Sequence, residues 1–373
     1  MKRYVAGAAV LLGAALASGG CAMSSTTTAP AGMASELVST IAGQVGVIGS
    51  NVPADSVSAL LADFYYPAGM VYVTSTNSIY IADSGNSTIR QLNLTTGQVT
   101  TLAGYPGQAG YFDNASNPTL SAYFNSPEGI TTDNTYLYVA DSGNNVIRRV
   151  SLTTGLVDTL AGNEGVSPAG FLDGTGTGAY FNNPLGICYD VSSTSLYVTD
   201  SGNSAIRHIA TPLTGAANSG VVTTLAGSPT ISTFYWPEGI VFDNANGNLY
   251  VVDSGYDEVL QVTTGGAVVT LAGSGSKGDA DGTGIAAQFN WPEGITIDST
   301  NTYLYVTDTL NSVIRQVTIN GGAVTTLAGQ GQVPGSADGT GNVAKFNNPM
   351  RLAVNGTTIY VSDTYNETIR MIK

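Results

Sequence analysis

The sequence predicts an all-β fold, a six-bladed β-propeller in which each blade has four antiparallel strands. Three observations carry this prediction. The 373 residues include 47 glycines and only 10% charged residues, a composition that favours short strands and tight turns over helices. One sequence unit recurs six times at intervals of 53 to 59 residues. The two ends of the chain supply complementary parts of a single unit.

The unit is clearest at residues 137–148, Leu-Tyr-Val-Ala-Asp-Ser-Gly-Asn-Asn-Val-Ile-Arg. Its aspartate occurs in every unit, and an arginine follows seven residues later in five of the six. Seven residues across a hairpin place both side chains on neighbouring strands, so we interpret each pair as structural rather than catalytic. The fourth unit has Leu260 instead of arginine, which makes Asp253 the exception. The repeat residues are Asp83, Asp141, Asp200, Asp253, Asp308 and Asp363, with Arg90, Arg148, Arg207, Arg315 and Arg370.

Three further marks keep the same phase. A proline precedes each aspartate by 14 or 16 residues, a phenylalanine stands three residues before each proline, and Leu-Ala-Gly or Ile-Ala-Gly recurs six times. Independent marks that stay in phase over six periods indicate a repeat architecture. The prolines are Pro67, Pro127, Pro184, Pro237, Pro292 and Pro349, and the phenylalanines are Phe64, Phe124, Phe181, Phe234, Phe289 and Phe346.

Each unit has room for four short strands. In the second unit we predict strands at residues 129–133, 137–141, 146–152 and 156–161, separated by Ser-Gly-Asn and Thr-Thr-Gly turns. A single four-stranded blade exposes two faces, and a closed ring buries them against neighbouring blades. Six such units therefore predict a six-bladed propeller.

The ends of the chain predict how the ring closes. The last unit stops at residues 368–373, which form a third strand, and the chain begins with a fourth strand at residues 37–43. Pairing the two would complete the sixth blade and remove the unpaired seam. The predicted domain organisation is a signal peptide at residues 1–20, a polar tether at residues 21–36 and one propeller at residues 37–373.

The motifs Pro-x-Gly-Ile, Tyr-Val-x-Asp-Ser-Gly-Asn, Ile-Arg and Thr-Leu-Ala-Gly resemble the NHL repeat, and the similarity covers residues 37–373. The loop at residues 278–284, Gly-Asp-Ala-Asp-Gly-Thr-Gly, is also similar to loops of bacterial NHL proteins. The resemblance implies a propeller fold but no single activity. Members of the family include protein-binding and RNA-binding domains, and relatives include metal-dependent lyases and hydrolases.

The charge balance argues against one class of partner. The formal net charge is -14, and the 12 Lys and Arg residues form no basic run beyond the N-terminus. Nucleic-acid binding needs clustered basic side chains to neutralise phosphates. We therefore expect no nucleic-acid partner and no direct attraction to anionic lipid.

The N-terminus predicts export. Met-Lys-Arg precedes an apolar stretch at residues 5–16, which is too short to span a bilayer. Ala-Ser-Gly-Gly then leads to Cys21, and this sequence resembles the lipobox of bacterial lipoproteins, with Ser18 where leucine is preferred. The resemblance implies lipidation of Cys21 and anchoring in the cell envelope. Ala22 favours the outer membrane, and ordinary cleavage after Ala17, which would give a secreted protein, is the alternative.

Three glutamates follow the blade-opening prolines, at Glu128, Glu238 and Glu293. The innermost strand of a propeller blade lines the central channel, so these carboxylates are expected near one channel mouth. They are candidate ligands for Ca²⁺, a hard cation that prefers oxygen, or for a cationic ligand. The competing interpretation is that they simply face water. The recurring Asp-Gly-Thr-Gly loops make Asp173, Asp281 and Asp338 weak Ca²⁺ candidates beside a turn-building role.

Aromatic residues cluster near the same prolines, at Tyr235, Trp236 and Trp291, with Tyr65 and Tyr66 in the first unit. Such residues are enriched at binding hot spots, and they also pack loops. His208 is the only histidine, so we expect no histidine-based metal site. Cys188 is the only cysteine besides Cys21, and we expect it to be a small apolar core residue.

The favoured function is a monomeric, non-catalytic binding scaffold that recognises a protein, peptide or glycan on one rim. A metal-dependent hydrolase or lyase using the channel glutamates is the alternative, and a purely architectural envelope role is a third hypothesis.

Overall fold

The computed structural model describes residues 36–49, 57–115, 121–163, 170–210 and 216–373. The predicted six-bladed ring is confirmed, with blades numbered 1 to 6 in the order of their innermost strands. The innermost strands are Pro67–Val73, Pro127–Thr132, Pro184–Asp190, Pro237–Asp243, Pro292–Ile297 and Pro349–Asn355. The second strands are Ser78–Asp83, Tyr136–Asp141, Ser195–Asp200, Asn248–Asp253, Tyr303–Asp308 and Thr358–Asp363.

The outer half of each blade follows in the same order, and all of these neighbours pair antiparallel. The third strands are Thr88–Asn93, Val146–Ser151, Ala205–Ala210, Glu258–Thr263, Val313–Thr318 and Thr368–Ile372. The fourth strands of blades 1 to 5 are Gln98–Ala103, Val157–Ala161, Val221–Gly227, Val268–Ala272 and Ala323–Ala328.

The predicted ring closure is confirmed in blade 6. The first strand of the chain, Leu37–Gly43, lies antiparallel to the last one, Thr368–Ile372, with Val38 opposite Ile372. The opposite ends of the sequence therefore complete one blade. No seam is left between the first and the last unit of the ring.

Four blades gain a fifth strand of two residues, which the sequence analysis did not predict. Each comes from the loop that enters the blade and pairs with the outer edge of the fourth strand. These strands are Val57–Ser58 in blade 1, Gly174–Thr175 in blade 3, Gly282–Thr283 in blade 5 and Gly339–Thr340 in blade 6.

The helices of the described residues are single 3-10 turns, and none is long and apolar enough to cross a membrane. Five of them follow the second strand of a blade and carry the repeated turn, and the other five lie in connecting loops. They are Ala59–Leu61, Thr74–Thr76, Ser84–Asn86, Ser142–Asn144, Gly176–Gly178, Ser201–Asn203, Gly284–Ala286, Thr309–Asn311, Gly341–Val343 and Thr364–Asn366.

The repeat aspartates and arginines pair as predicted. In blade 3, Arg207 Nη1 contacts Asp200 Oδ2 at 2.7 Å, and neither side chain is exposed. The guanidinium carbon lies 5.1 Å from the centre of the Phe181 ring, within cation–π range. The same arrangement of aspartate, arginine and phenylalanine recurs in blades 1, 2, 5 and 6. Three of the sequence marks thus meet at one buried site in each of these five blades.

The turn that follows each repeat aspartate joins neighbouring blades. The hydroxyl of its first residue donates to the carbonyl of the next blade's opening proline, as Thr309 does to Pro349 at 2.8 Å. Thr364 of blade 6 donates to Pro67 of blade 1 at 2.7 Å and closes the circuit. The serine donors are Ser84 to Pro127, Ser142 to Pro184, Ser201 to Pro237 and Ser254 to Pro292.

The hydrophobic core lies between blades rather than within them. One cluster joins Tyr138 and Ile147 of blade 2 to Ile187 and Leu196 of blade 3. Another joins Tyr250 of blade 4 to residues of blade 5. A blade buries its faces only against its neighbours, which is why the closed ring is the stable form.

Candidate functional site

The glycine of the Pro-x-Gly motif lets the innermost strands approach one another around the central axis. A Cβ on Gly186 would lie 2.1 Å from the carbonyl oxygen of Glu238, and one on Gly239 would lie 2.6 Å from that of Glu293. Real Cβ atoms do not come so close to backbone, so a side chain cannot be added there. The motif therefore fixes residue x of each blade against the preceding strand.

The three glutamates at position x are more buried than a water-facing residue. Glu128 is 1% exposed and Glu238 is 4% exposed, while Glu293 is half-buried. The interpretation that all three simply face water is therefore wrong for Glu128 and Glu238. Burial of a carboxylate is costly unless a counter-charge or hydrogen bonds compensate.

Arg351 supplies positive charge to this layer, and the sequence analysis missed it. The sixth motif reads Pro349-Met350-Arg351, so an arginine stands where the other blades have glycine. Its Nη2 contacts Glu238 Oε2 at 3.3 Å, and its Nη1 donates to the Glu293 carbonyl oxygen. Arg351 is only 6% exposed. The missing glycine was the signal in the sequence that could have revealed it.

A central channel of about 360 Å³ begins at Arg351 and opens on the side where the innermost strands end. Backbone and apolar side chains of all six innermost strands line it, together with Cys188 and Asp298. Burial raises the pKa of the Cys188 thiol far above its usual range. That thiol stays protonated and serves as a small apolar residue, as predicted.

The weak Ca²⁺ candidates form the outer half of the buried arginine sites. Arg207 lies between Asp200 and Asp173, with Nη2 at 2.8 Å from Asp173 Oδ1. Asp281 and Asp338 contact Arg315 and Arg370 in the same way, at 2.9 and 2.6 Å. A calcium ion there would have to displace a guanidinium. Across the described ranges, no three acidic, histidine or cysteine side chains form a group that could hold a metal ion.

Asp113 plays the same part in blade 2, where its Oδ1 lies 2.6 Å from Arg148 Nη2. The sequence analysis did not select it, because it lies in Phe-Asp-Asn instead of Asp-Gly-Thr-Gly. Its spacing of 35 residues from the arginine, close to that of Asp173 and Asp281 from theirs, was the available signal.

The face of the ring on which the innermost strands begin, here called the proline face, carries the predicted aromatic residues. The residue before each proline adopts a left-handed backbone, with φ of 67° at Trp236, 54° at Trp291 and 53° at Tyr66. Asn183 and Asn348 hold the same position in blades 3 and 6, and asparagine tolerates this conformation far better than a bulky aromatic residue. Strained residues of this kind cluster at functional sites.

Four aromatic residues of blades 4 and 5 lie at the turns of the proline face and are here called the aromatic patch: Tyr235, Trp236, Tyr256 and Trp291. Tyr235 is 57% exposed and Tyr256 is 38% exposed, with their rings 5.8 Å apart. Asp257 follows Tyr256, and its Oδ1 accepts the Trp291 backbone N–H at 2.6 Å. Both tryptophans are half-buried. The structure thus places Tyr256 beside Tyr235 and ties Trp291 to the same turn through Asp257.

Blade 4 also lacks the guanidinium that the other blades bury. Leu260 packs in the same apolar cluster as Phe234, and Asp253 receives the Tyr235 N–H at 2.9 Å. Burial raises the pKa of Asp253 to about 7 despite these hydrogen bonds. Burial likewise raises the pKa of Asp257 and of Glu258. One carboxyl group with a pKa near neutral, that of Asp253, therefore lies beneath the aromatic patch.

His208 lies away from this site, on the third strand of blade 3. Its ring is 4.9 Å from that of Tyr197, and burial lowers its pKa. Cys21 and the predicted signal peptide and tether lie outside the described residues, apart from Glu36 at the end of the tether.

Comparison with known proteins identifies the repeat. The family model "NHL repeat" matches residues 64–92 and 181–209, so the chain contains NHL repeats. NHL repeat-containing protein 2 of Gallus gallus is 29% identical over 345 residues, which cover 82% of this chain and 46% of that protein. Protein SUPPRESSOR OF QUENCHING 1, chloroplastic, of Arabidopsis thaliana is 29% identical over 82% of this chain and 30% of its own length. The chain spans less than half the length of these relatives.

Solved structures with the same fold include binding proteins and an enzyme. An auxiliary nutrient binding protein from Bacteroides thetaiotaomicron superimposes with a TM-score of 0.68 and 17% identity, over 91% of this chain and 76% of that one. A streptogramin B lyase superimposes with a TM-score of 0.54 and 12% identity, over 91% and 97%. At these identities the likeness extends to the fold alone.

Proposed function

We propose that this NHL-repeat propeller is a non-catalytic binding protein whose ligand contacts the aromatic patch on the proline face. One observation carries the proposal. Blades 4 and 5 both read Trp-Pro-Glu-Gly-Ile, at residues 236–240 and 291–295, and both hold the tryptophan in a left-handed conformation. Blades 2, 3 and 6 place serine or asparagine there and blade 1 places Tyr66, so the fold does not require tryptophan.

The patch fits a ligand that offers flat or apolar surface together with polar groups. Aromatic rings supply contact area at low entropic cost, and the exposed Tyr235 and Tyr256 carry hydroxyl groups that can hydrogen-bond a ligand. A peptide, the surface of a protein or a glycan has this chemistry. The auxiliary nutrient binding protein of the same fold supports a binding role without identifying the ligand.

Intrinsic fluorescence provides a direct test, because Trp236 and Trp291 are the only two tryptophans. The protein is titrated with panels of oligosaccharides and peptides. We expect members of the true ligand class to shift the tryptophan emission. Trp236→Asn and Trp291→Asn should each weaken binding by about tenfold or more, as loss of an aromatic anchor does. Tyr105→Ala, which alters an exposed tyrosine near the blade 1 turn, is the matched control and should bind normally.

The same titration separates binding from catalysis. A binding protein returns its ligand unchanged, which mass spectrometry of the recovered ligand would establish. Turnover that is lost in Glu128→Gln, Glu238→Gln and Glu293→Gln, together with loss on chelation, would instead support the metal-dependent hydrolase or lyase hypothesis.

Calcium binding near the channel glutamates has its own test. A ligand at 100 times its dissociation constant stabilises the folded state by about 2.7 kcal/mol. Thermal unfolding with EDTA and with added Ca²⁺ should therefore reveal a resident ion as a raised midpoint. The response should disappear in the triple glutamine variant; equal midpoints in wild-type protein would remove Ca²⁺ from the proposal.

Anchoring of the propeller to the cell envelope through Cys21 completes the proposal. The expected result is that the protein partitions with membranes and that Cys21→Ala moves it to the soluble fraction. A soluble wild-type protein would support the alternative, ordinary cleavage and secretion.

A further inference from the structure

The outer edge of a β-sheet exposes backbone N–H and C=O groups that invite pairing with another chain. In blade 3 the entering loop covers this edge. Gly174–Thr175 pairs with Val221 and Val222, and Asp173 Oδ2 accepts the Thr224 N–H at 3.0 Å. The loops that enter blades 1, 5 and 6 place two-residue strands in the same position.

Blade 2 covers the edge with side chains and backbone of its entering loop. Asn114 Oδ1 accepts the Val157 N–H at 2.8 Å, and the Asn114 N–H donates to the Val157 carbonyl at 3.1 Å. Asp113 Oδ2 accepts the Thr159 N–H at 3.0 Å. The outward-facing groups of Val157 and Thr159 are thus occupied.

Blade 4 is the exception, because its entering loop is too short. Only residues 228–233 separate Gly227 from Phe234, and they close on themselves through a bridge between Ser228 and Ile231. Within the described ranges, Val268–Ala272 pairs with Glu258–Thr263 on its inner side and with no strand on its outer side.

The uncovered strand lacks two features by which proteins protect an edge, a charged side chain and a proline. Alignment on Leu-Ala-Gly makes Val268 the counterpart of Val157, and Thr270 the counterpart of Thr159. Val269 is 59% exposed and Thr270 is exposed. Residues 267–272, Ala-Val-Val-Thr-Leu-Ala, contain no charge and no proline. Such an edge is a template for strand addition.

The charges next to this edge favour a basic partner. Glu258 Oε2 accepts the Thr270 hydroxyl at 3.1 Å, which is the place that Asp173 holds toward Thr224 in blade 3. The repeat arginine that would neutralise a carboxylate there is replaced by Leu260. Pairing with a second copy would bring two Glu258 side chains and two chains of net charge -14 together, which is unfavourable.

We propose that an extended segment of a partner protein adds antiparallel to Val268–Ala272 and places a Lys or Arg side chain beside Glu258. This edge is separate from the aromatic patch, so either interaction can fail without the other. It lies on the outer circumference of the ring, whereas the patch lies on the proline face.

Hydrogen exchange resolved at single amides tests the first half of the proposal. In the free monomer, the amides of Val268 and Thr270 should exchange at least about tenfold faster than those of Val222 and Thr224 in blade 3. Equal protection in the free monomer would overturn the proposal, because the edge would already be covered.

A synthetic peptide, acetyl-Thr-Val-Lys-Val-Thr-Lys-amide, tests the second half. We expect it to protect Val268 and Thr270, whereas the same peptide with alternate backbone amides N-methylated should not. A version with glutamate for lysine should bind about fivefold more weakly, and Glu258→Gln should remove that difference. Thr270→Pro, which removes the outward-facing N–H and the hydroxyl that donates to Glu258 but no hydrogen bond of the sheet, should weaken peptide binding while leaving the fold intact.

Three results would refute the proposal. Exposed amides that no lysine peptide protects would show an edge that pairs with nothing. Protection that rises with protein concentration and follows a dimer in light scattering would identify a second copy as the occupant. If the amides are protected in the full chain but not in a chain that begins at Ser35, the occupant of the edge is the chain's own N-terminal segment.

Discussion

Blades 3 and 4 share one sheet topology but solve the same packing problem with opposite chemistry. Blade 3 buries Arg207 between Asp200 and Asp173. Blade 4 has Leu260 at the arginine position. Burial raises the pKa of Asp200 to about 6, with Arg207 opposing the rise, and it raises that of Asp253 to about 7 where no arginine is present.

The comparison shows that the residues that recur in the repeat hold the ring together. The positions at which blade 4 differs from the repeat lie at or beneath its exposed surfaces. Blade 4 lacks three features of the repeat. Leu260 replaces the arginine, Tyr256 replaces the turn asparagine, and the entering loop is short. The changes leave the four strands intact and expose an aromatic patch and an uncovered edge. An ion network can therefore be exchanged for apolar packing without loss of the fold.

The largest test converts blade 3 to the chemistry of blade 4. Arg207→Leu should lower the free energy of unfolding by about 3–5 kcal/mol, because it leaves Asp200 and Asp173 beside an apolar side chain. Urea unfolding measures the loss. Leu260→Met, a core change without charge, is the control and should cost less than about 1.5 kcal/mol. A loss below about 1 kcal/mol for Arg207→Leu would be no larger than that of a typical point substitution, and it would show that the ion sites are dispensable.

A second test addresses the arginine that departs from the repeat. Arg351→Gly restores the Pro-x-Gly motif but removes the positive charge that contacts Glu238. We expect a loss of about 3 kcal/mol, and partial recovery in the double variant with Glu238→Leu, which copies Leu185 of blade 3. Calorimetric unfolding of the two variants is the measurement. A stable single variant would mean that Arg351 contributes nothing to the layer.

The same substitution should have opposite effects in the two blades. Asp200→Asn should destabilise the protein by about 2 kcal/mol at neutral pH, because Arg207 loses a buried partner. Asp253→Asn should stabilise it by on the order of 1 kcal/mol at pH 8, because the buried negative charge disappears.

The pH dependence of Asp253→Asn follows from the sign of the pKa shift. The pKa of Asp253 rises from 3.8 to about 7 in the folded state. Its stabilising contribution is complete below about pH 4 and is lost as the pH rises to about 7. The advantage of Asp253→Asn over wild type should therefore grow between about pH 4 and 7 and then level off. Denaturation midpoints of both proteins at pH 5 and pH 8 are the measurement. An equal difference between variant and wild type at the two pH values would contradict the prediction.

The smallest effect is expected on the proline face. Trp236→Asn should leave stability unchanged or raise it by up to about 1 kcal/mol, because asparagine relieves the left-handed strain while some aromatic contact is lost. Thermal unfolding checks this, alongside the fluorescence titration of Trp291. A loss above 2 kcal/mol, beyond the ~1 kcal/mol typical of a point substitution, would identify Trp236 as a packing residue.

The sequence was sufficient for the ring, because its marks repeat in phase. The six blades, the closure by Leu37–Gly43 and the five ion pairs were all predicted from spacing. The pairing of Asp and Arg across one hairpin is local, so a spacing of seven residues was enough to predict it.

The rest depended on contacts between residues far apart in the sequence, which the spacing within one hairpin does not reveal. Asp173 was read as a weak Ca²⁺ candidate, yet it binds Arg207, 34 residues along the chain. Arg351 contacts Glu238 across 113 residues, and only the closed ring brings the two together. The uncovered edge of blade 4 required knowledge of what covers the other edges.

Closure by the first strand has a consequence for how the chain reaches its folded state. Leu37–Gly43 is synthesised more than 300 residues before its partner, Thr368–Ile372. Pairing over nearly the whole length carries a large loop-closure entropy and slows folding. The ring therefore cannot close until Thr368–Ile372 has been made, and a chain that lacks this strand leaves blade 6 open. Blade 6 thus ties the folding of the first strand to the synthesis of the last one.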